Sequence, residues 1–298
     1  MTKENIGFVG VGLMGHGMAK NIVEKGHALS VTAHRSRAAI DDLVSRGATE
    51  RANLADVARA SDIIFLCLTD AQAVEAAVAG LRPGLSAGKV IVDCSTNDPG
   101  TTVKLAAEMA QLGVDYADAP LGGTPAQALE GQLHAMVGAA PEVFARILPV
   151  LETWAAKVAH IGEVASGHRM KLLNNFLSLG YGAIYAEALA LSRKVGISIE
   201  EFDKVIRGSR MDCGFYQTFM GCALEGRRDA HKFTLANAYK DLRYLESMSN
   251  GATCPSPMAS AVKNSFAQVV ASGLGGPEDY VPHLADFVAR TSGLPEAG

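Results

Sequence analysis

The sequence lacks several features that would each indicate a particular class of protein. Its most apolar run, residues 63–68, is far shorter than the roughly 20 residues that a membrane-spanning helix needs. Lysine and arginine total 27 against 31 acidic residues, so no excess of positive charge indicates a nucleic acid partner. The first residues show no signal-peptide pattern. We therefore expect a protein that binds neither a membrane nor nucleic acid.

Cysteine and histidine patterns also give no indication of a metal site. The five cysteines form no C-x-x-C pair, and the eight histidines are scattered along the chain. We therefore expect no metal site, and the odd cysteine count suggests reduced thiols in the cytoplasm. With 298 residues, 48% hydrophobic and 19% charged, the chain is long enough for two compact domains.

The first half of the chain alternates short apolar runs with helical patterns. The runs predict strands at residues 5–9, 29–33, 63–68, 90–94 and 115–117. The helical patterns between and after them cover residues 14–25, 37–46, 53–59, 71–79 and 99–112. This alternation predicts βαβ units and a mostly parallel, doubly wound sheet covered on both faces. A glycine-rich stretch at 122–131 precedes less regular elements, predicted at 133–137, 141–154 and 158–161.

The strand signal fades after Gly162. Helical patterns follow at residues 166–195, 199–208, 213–224, 233–249, 257–270 and 276–291. We therefore predict an α/β domain over residues 1–163 and an all-α domain over residues 164–298.

A glycine motif joins the first predicted strand to the first predicted helix. Gly10, Gly12 and Gly15 follow the order G-x-G-x-x-G, with Leu13 and Met14 between the last two. Gly10 allows the sharp turn, Gly12 lets the backbone approach a pyrophosphate, and Gly15 lets the helix pack against the strand. The helix N-terminus offers N–H groups to the phosphates. This context predicts a Rossmann dinucleotide-binding domain rather than a structural glycine turn.

The end of the second predicted strand bears on the choice of nicotinamide cofactor. NAD-binding proteins usually place an acidic residue there, but this chain has His34, Arg35, Ser36 and Arg37. An arginine at this place can hold the 2′-phosphate of NADP. The alternative is a solvated basic cap on the next helix, with Ser36 capping. We expect NADP rather than NAD.

Three further clusters line up with the glycine motif. They are Asp93-Cys94-Ser95-Thr96, residues 118–128 and residues 167–175. Together with G-L-M-G-x-x-M-A-x-N at residues 12–21 and Lys240-Asp241-Leu242, they make almost the whole chain resemble the β-hydroxyacid dehydrogenase family. The resemblance implies an NAD(P)-dependent oxidoreductase that interconverts a small β-hydroxy acid and its aldehyde or ketone by direct hydride transfer.

Lys171 and Asn175 are the candidate catalytic residues. They are four residues apart on the long predicted helix, so both project from one face. A cationic lysine can protonate a carbonyl oxygen, and a neutral one can take the proton of an alcohol when its pKa is lowered. The resemblance implies the same roles, with Asn175 as the partner of the lysine. The alternative is a lysine that extends into solvent from a surface helix.

Gly122, Gly123 and Thr124 are the candidate substrate-binding turn. Their N–H groups and hydroxyl suit an anion such as a carboxylate, although a plain glycine turn is the alternative. Gly122 stands where the family usually has serine. The loop resembles that of the sulfolactaldehyde reductase branch, which also has glycine there, and this hints at an unusual anion. Arg210 could pair with a phosphate, phosphonate or sulfonate, or be a solvated surface arginine.

The resemblance implies further cofactor contacts and self-association. Leu68, Thr69 and Asp70 would pass the adenosine ribose, Thr96 would lie near the nicotinamide ribose, and Lys240 would approach the cofactor. Helix capping at Thr96 and a surface ion at Lys240 are the alternatives. Family members form dimers or tetramers through the helical domain, so a homodimer or homotetramer is expected.

Two other functions remain open at this point. An imine reductase has the same two-domain plan but usually lacks the catalytic lysine. A non-catalytic dinucleotide-sensing module could also be built on the same fold.

Overall fold

The fold is described from a computed structural model that covers residues 3–33 and 37–295. The chain divides into two compact units, Met1–Lys171 and Leu172–Gly298. The predicted domain boundary near residue 163 stays a prediction.

The first unit is built on one sheet. Its strands within the described residues are β1 (Ile6–Val9), β2 (Leu29–Val31), β3 (Thr49–Glu50), β4 (Ile63–Leu66), β5 (Val90–Asp93), β6 (Asp115–Asp118), β7 (Leu121–Gly122), β8 (Leu133–Gly138) and β9 (Ala155–Gly162). Their order is β3-β2-β1-β4-β5-β6-β8-β7, with β9 beside β8. The strands from β3 to β6 are parallel, whereas β8 runs antiparallel to β6 and β7. The predicted doubly wound, mostly parallel sheet is confirmed.

Helices cover both faces of this sheet. They are α1 (Gly15–Glu24), α2 (Arg37–Ser45), α3 (Leu54–Arg59), α4 (Ala71–Leu81), α5 (Pro99–Ala110), α6 (Pro125–Leu129) and α7 (Pro141–Leu151). Successive side chains of a strand point to opposite faces. Along β4, Ile63 and Phe65 therefore pack in one buried cluster with Trp154, and Ile64 and Leu66 pack in another. Burial on both faces explains why this strand reads as a continuous apolar run.

The second unit is helical, as predicted. It contains most of α8 (Ser166–Lys194), followed by α9 (Ile199–Ile206), α10 (Gly214–Glu225), α11 (Leu235–Gly251), α12 (Pro257–Ala271) and α13 (Leu284–Thr291). Ser198 begins α9 with a capping box to Glu201, and Pro257 occupies the first turn of α12. Tyr216 and Phe266 are fully buried in its core. Among the described helices, none is long and apolar enough to cross a membrane.

The structure differs from the predicted elements in four places. β3 and β7 are two residues long and α6 has five, so none carries a readable period of apolar residues. The helix predicted at 276–291 begins only at Leu284. Before it, Tyr280 forms an isolated antiparallel bridge with Thr234, in which the N–H of Leu235 donates to the carbonyl oxygen of Asp279 and the N–H of Val281 donates to that of Phe233. A short 3-10 helix, Val281–His283, then leads into α13.

Candidate active site

The protein itself requires two of the three motif glycines. Gly10 has φ +98°, and a Cβ there would lie 2.2 Å from the carbonyl oxygen of Cys67. A Cβ on Gly15 would lie 2.0 Å from the carbonyl oxygen of Gly10. A side chain at either position would therefore break the strand–turn–helix packing.

Gly12, in contrast, has space for a side chain within the described structure. No described atom lies within 4 Å of the place where its Cβ would be, so the fold leaves this position open. Helix α1 begins beside it with Met14 at the N-cap position, and no described side chain caps its N–H groups. In contrast, Asn53, Asp70 and Asp98 cap α3, α4 and α5 with their side chains. An open backbone and an uncapped helix N-terminus fit the pyrophosphate of a dinucleotide.

The strand order places this turn where α/β sheets bind ligands. β1 lies between β2 and β4, and the chain reverses its direction of winding there. Ligands bind at such a switch point, beyond the carboxyl ends of the strands. Leu68 and Thr96 follow β4 and β5, so they lie at the same edge of the sheet as Gly10. Their predicted role as cofactor contacts stays a prediction.

Side-chain bonds fix the loops that follow β4 and β5. The N–H of Leu68 donates to Ser95 Oγ over 2.9 Å. Asp70 Oδ1 accepts the N–H of Ala73 over 2.8 Å, and Asp70 also accepts the hydroxyl of Thr69. The helix after β5 is capped by Asp98, so the alternative that Ser95 and Thr96 cap it is wrong.

Arg37 is the only member of the predicted 2′-phosphate site within the described residues; His34, Arg35 and Ser36 lie outside them. Its two terminal nitrogens donate to Glu50 over 2.7 and 2.8 Å, and its Nε donates to Asp41 over 2.8 Å. These bonds, chiefly those to Glu50, raise the pKa of Arg37 above its usual value. A phosphate would therefore compete with two carboxylates for this guanidinium.

The predicted substrate turn begins a short helix. Gly122 pairs with His134 across β7 and β8, and Gly123 has φ +129°. Thr124 caps α6: its N–H donates to Gln127 Oε1 over 2.9 Å, and its hydroxyl accepts the N–H of Gln127 over 3.3 Å. The polar groups of Thr124 therefore serve the helix, and its contact with a substrate stays a prediction.

Arg210 lies in the loop between α9 and α10. Arg210 is an exposed residue. The N–H of Gly208 donates to Asp212 Oδ2 over 2.8 Å, and the N–H of Met211 donates to Ser209 Oγ over 3.1 Å, which shapes this loop. The predicted pairing of Arg210 with an anion is not tested by this arrangement.

Lys171 and Asn175 lie on α8, in the first and second unit respectively. Asn175 is buried, and its Nδ2 donates to Asp241 Oδ2 over 2.7 Å. A carboxylate only accepts hydrogen bonds, which assigns the orientation of the Asn175 amide. The carbonyl oxygen of Asn175 accepts a long bond of 3.5 Å from Asn174 Nδ2 and keeps a second lone pair for another donor. Lys240 places its ammonium 3.2 Å from Asp241 Oδ1 and over the ring of Tyr244.

A buried polar cluster at the ends of β5 and β6 escaped prediction from the sequence. Asp118 accepts the N–H groups of Ala165 and His168 over 2.6 Å each. Burial raises the pKa of Asp118, against the opposing influence of His168 and of these hydrogen bonds. The signal in the sequence was an aspartate at the end of each of two neighbouring apolar runs, Asp93 and Asp118.

Two family models match the chain, one after the other. Residues 5–162 match the NAD binding domain of 6-phosphogluconate dehydrogenase. Residues 165–284 match a domain described as NAD-binding of NADP-dependent 3-hydroxyisobutyrate dehydrogenase. The two matches together cover the elements from β1 to α12 and end at the first residue of α13.

Individual relatives match over nearly the whole chain. The chain is 31% identical to 3-sulfolactaldehyde reductase of Escherichia coli (strain K12), over 91% of both chains. It is 34% identical to 2-(hydroxymethyl)glutarate dehydrogenase of Eubacterium barkeri, over 91% of this chain and 90% of that one. A solved structure, Psf3 in complex with NADP+ and 2-OPP, is 27% identical with a TM-score of 0.80, covering 95% of this chain and 99% of that one.

Proposed function

The chain belongs to the β-hydroxyacid dehydrogenase family and is an NAD(P)-dependent oxidoreductase that acts on CH–OH groups; we propose that Lys171 is its general acid/base. The observation that carries this proposal is the pair of Lys171 and Asn175 on one helix, with the amide of Asn175 fixed by Asp241. Residues four apart share a helix face, so both side chains can serve one reacting group.

In this proposal the chain binds and orients the substrate and moves one proton. The nicotinamide, when bound, supplies or accepts the hydride. Lys171 gives a proton to the carbonyl oxygen in reduction and takes the proton of the hydroxyl in oxidation. Asn175 accepts a hydrogen bond from the substrate hydroxyl with its carbonyl oxygen, because the bond from its nitrogen to Asp241 turns that oxygen away from the carboxylate.

We infer that the preferred cofactor is NADP. The segment after β2 carries Arg35 and Arg37 and has no acidic residue where NAD-binding proteins place one. A structural relative is named in complex with NADP+. Because Arg37 is bonded to Glu50 and Asp41, the 2′-phosphate contact in this proposal depends mainly on Arg35.

The substrate in this proposal is a small hydroxy acid or its aldehyde with a strongly anionic group. The named relatives act on 3-sulfolactaldehyde and 2-(hydroxymethyl)glutarate, which are both anions. Gly122, Gly123, Thr124 and Arg210 are the residues that we assign to this anion. We also infer a cytoplasmic location, which the free state of the five described cysteines supports.

We also infer a homodimer or homotetramer. Helix α8 exposes an apolar row, with Leu173 47%, Leu177 57%, Ile184 56% and Leu191 65% exposed. The spacing of four, seven and seven residues keeps these side chains near one face. An exposed apolar face of this length suits a second copy of the chain, and sedimentation of Leu177→Lys against the wild type tests it.

The experiment that tests the catalytic proposal measures NADPH oxidation against a panel of short anionic aldehydes and keto acids. Lys171→Ala should lower kcat by about 10²–10⁴-fold while NADPH still binds, because only the proton transfer is lost. Lys194→Ala, near the end of the same helix, is the matched control and should retain full turnover. Near-normal turnover of Lys171→Ala, or no NADPH oxidation with any compound by the wild type, overturns the proposal.

A further inference from the structure

A histidine that the proposed mechanism does not use lies one helical turn before Lys171. His168 is 0% exposed. Its Nε2 lies 3.0 Å from the carbonyl oxygen of Ser95, and its Nδ1 lies 2.8 Å from Thr102 Oγ1. A carbonyl oxygen only accepts, so Nε2 carries a proton and donates it to Ser95. Both ring nitrogens are therefore bonded, and the orientation of the ring is fixed.

The backbone of His168 is held as firmly as its ring. Its N–H donates to Asp118 Oδ2, and the N–H of Ala165 donates to the other oxygen of the same carboxylate. These bonds cap the start of α8 with a side chain that is 47 and 50 residues away in sequence. The charge of Asp118 also suits the positive end of the helix dipole.

Close packing leaves the start of α8 no room to shift. A Cβ on Gly167 would lie 2.3 Å from the carbonyl oxygen of Met136. A Cβ on Gly138 would lie 2.4 Å from Asp118 Oδ1. Because neither glycine has space for a side-chain carbon, the backbone here packs closely against the main chain of Met136 and the carboxylate of Asp118. A displacement of the helix start therefore has to move the ends of the neighbouring strands.

Ser95, whose carbonyl oxygen accepts the bond from His168 Nε2, belongs to the loop after β5. Ser95 immediately precedes Thr96, and its Oγ accepts the N–H of Leu68 from the loop after β4. The N–H of Ser95 in turn donates to the buried carboxylate of Asp93 over 3.0 Å. Ser95 thus accepts one hydrogen bond from His168 on α8, the helix of Lys171, and one from Leu68 in the loop after β4.

We propose that His168 is a positioning residue that fixes Lys171 relative to the Ser95–Thr96 loop. The proposal rests on the proposed function, in which Lys171 transfers the proton. Lys171 follows His168 by three residues, about 4.5 Å along the helix axis, so a movement of one moves the other. A misplacement of about 1 Å in a reacting group can cost about 10²-fold in rate.

The test compares two substitutions of His168. His168→Phe keeps the ring-shaped bulk and removes both nitrogens, and it should lower kcat by about 10²-fold with little change in KM or in NADPH affinity. The primary isotope effect with NADPH deuterated at C4 should rise, because hydride transfer becomes slower than the other steps. His168→Gln keeps an N–H donor for the carbonyl of Ser95 and should restore most of the turnover.

His283→Phe is the matched control. His283 is 8% exposed, and its Nε2 lies 2.9 Å from the carbonyl oxygen of Arg228 in the second unit. This variant loses that bond and the bond that Nδ1 accepts from the N–H of Tyr280, so its Tm should fall while kcat and the isotope effect stay at wild-type values. Amide hydrogen exchange of residues 165–171, measured without cofactor, should speed up in His168→Phe and not in His283→Phe. If His168→Phe does not fold, Thr102→Val removes the Nδ1 contact and takes its place in every measurement.

The outcomes separate this proposal from the proposed function. A His168→Phe protein that loses stability but keeps wild-type kcat, isotope effect and exchange overturns the positioning role. If Lys171→Ala is as active as the wild type, the proposed function fails, and the positioning of a proton-transferring lysine fails with it. Exchange at residues 165–171 then still shows whether His168 holds the start of α8, which distinguishes the two failures.

Discussion

Two buried aspartates, one in each unit, perform different tasks on the same helix. Asp118 accepts two main-chain N–H groups and so holds the backbone at the start of α8. Asp241 accepts one side-chain N–H, from Asn175, and so holds the orientation of an amide. Lys171 lies between the two attachment points in sequence. The position of the start of α8 and the orientation of the Asn175 amide on the same helix are therefore set by separate contacts.

The largest expected effect comes from weakening the backbone attachment. Asp118→Asn keeps the size of the side chain but turns one of its two acceptors into a donor that faces an N–H group. The unfolding free energy should fall by about 2 kcal/mol, the usual cost of a buried donor without an acceptor. Urea denaturation measures this. Asp115→Asn, at the exposed start of the same strand, is the control and should leave stability unchanged. Equal losses in both variants would contradict the assigned role of Asp118.

The side-chain attachment should contribute less to stability and more to substrate use. Asp241→Ala removes the acceptor of Asn175, which should lower the unfolding free energy by about 1.5 kcal/mol, as for other hydrogen bonds to charged groups. Its kcat/KM should fall about tenfold, because that energy no longer fixes the amide. Asp241→Asn still offers an acceptor oxygen and should restore most of the activity. The exposed Asn250, on the same helix as Asp241, supplies the control Asn250→Ala. An equal loss of kcat/KM in that variant would contradict the assigned role of Asp241.

The smallest effect tests the backbone just before α8. Ala165 has φ +74°, a left-handed conformation that favours glycine. Ala165→Gly should therefore raise the unfolding free energy by about 0.5–1 kcal/mol. The same substitution at Ala188, inside α8, should lower the unfolding free energy by about 1 kcal/mol. Thermal denaturation of the pair measures both signs. If both variants lose stability, the strain at Ala165 is not relieved by glycine.

Elements with a long apolar period were predictable, and short polar ones were not. The five apolar runs of the first half and the long pattern at 166–195 all became strands and helices, because burial of a face demands that spacing. β3 lies exposed at the sheet edge with only two residues, Thr49 and Glu50, and owes its form to pairing with β2. Nothing local in those residues could have indicated it.

The candidate site also contains residues that a local pattern predicts and residues that it does not. The glycine turn and the spacing of Lys171 and Asn175 are local patterns, so the sequence displays them. Asp118 meets the start of α8 across 47 and 50 residues, and Asn175 meets Asp241 across 66. Such pairs depend on which strand ends and helices the fold brings together, and no local pattern of residues displays them.

The crowding around Gly10 and Gly15 affects how other sequences of this kind should be interpreted. A protein that had lost its enzymatic role in evolution would still keep these two glycines, because its own backbone needs the space. Gly12 has no such internal constraint among the described residues and would be free to change. With the pyrophosphate contact predicted for Gly12, replacement of this middle glycine alone is the change expected in a relative that folds normally but no longer binds the dinucleotide.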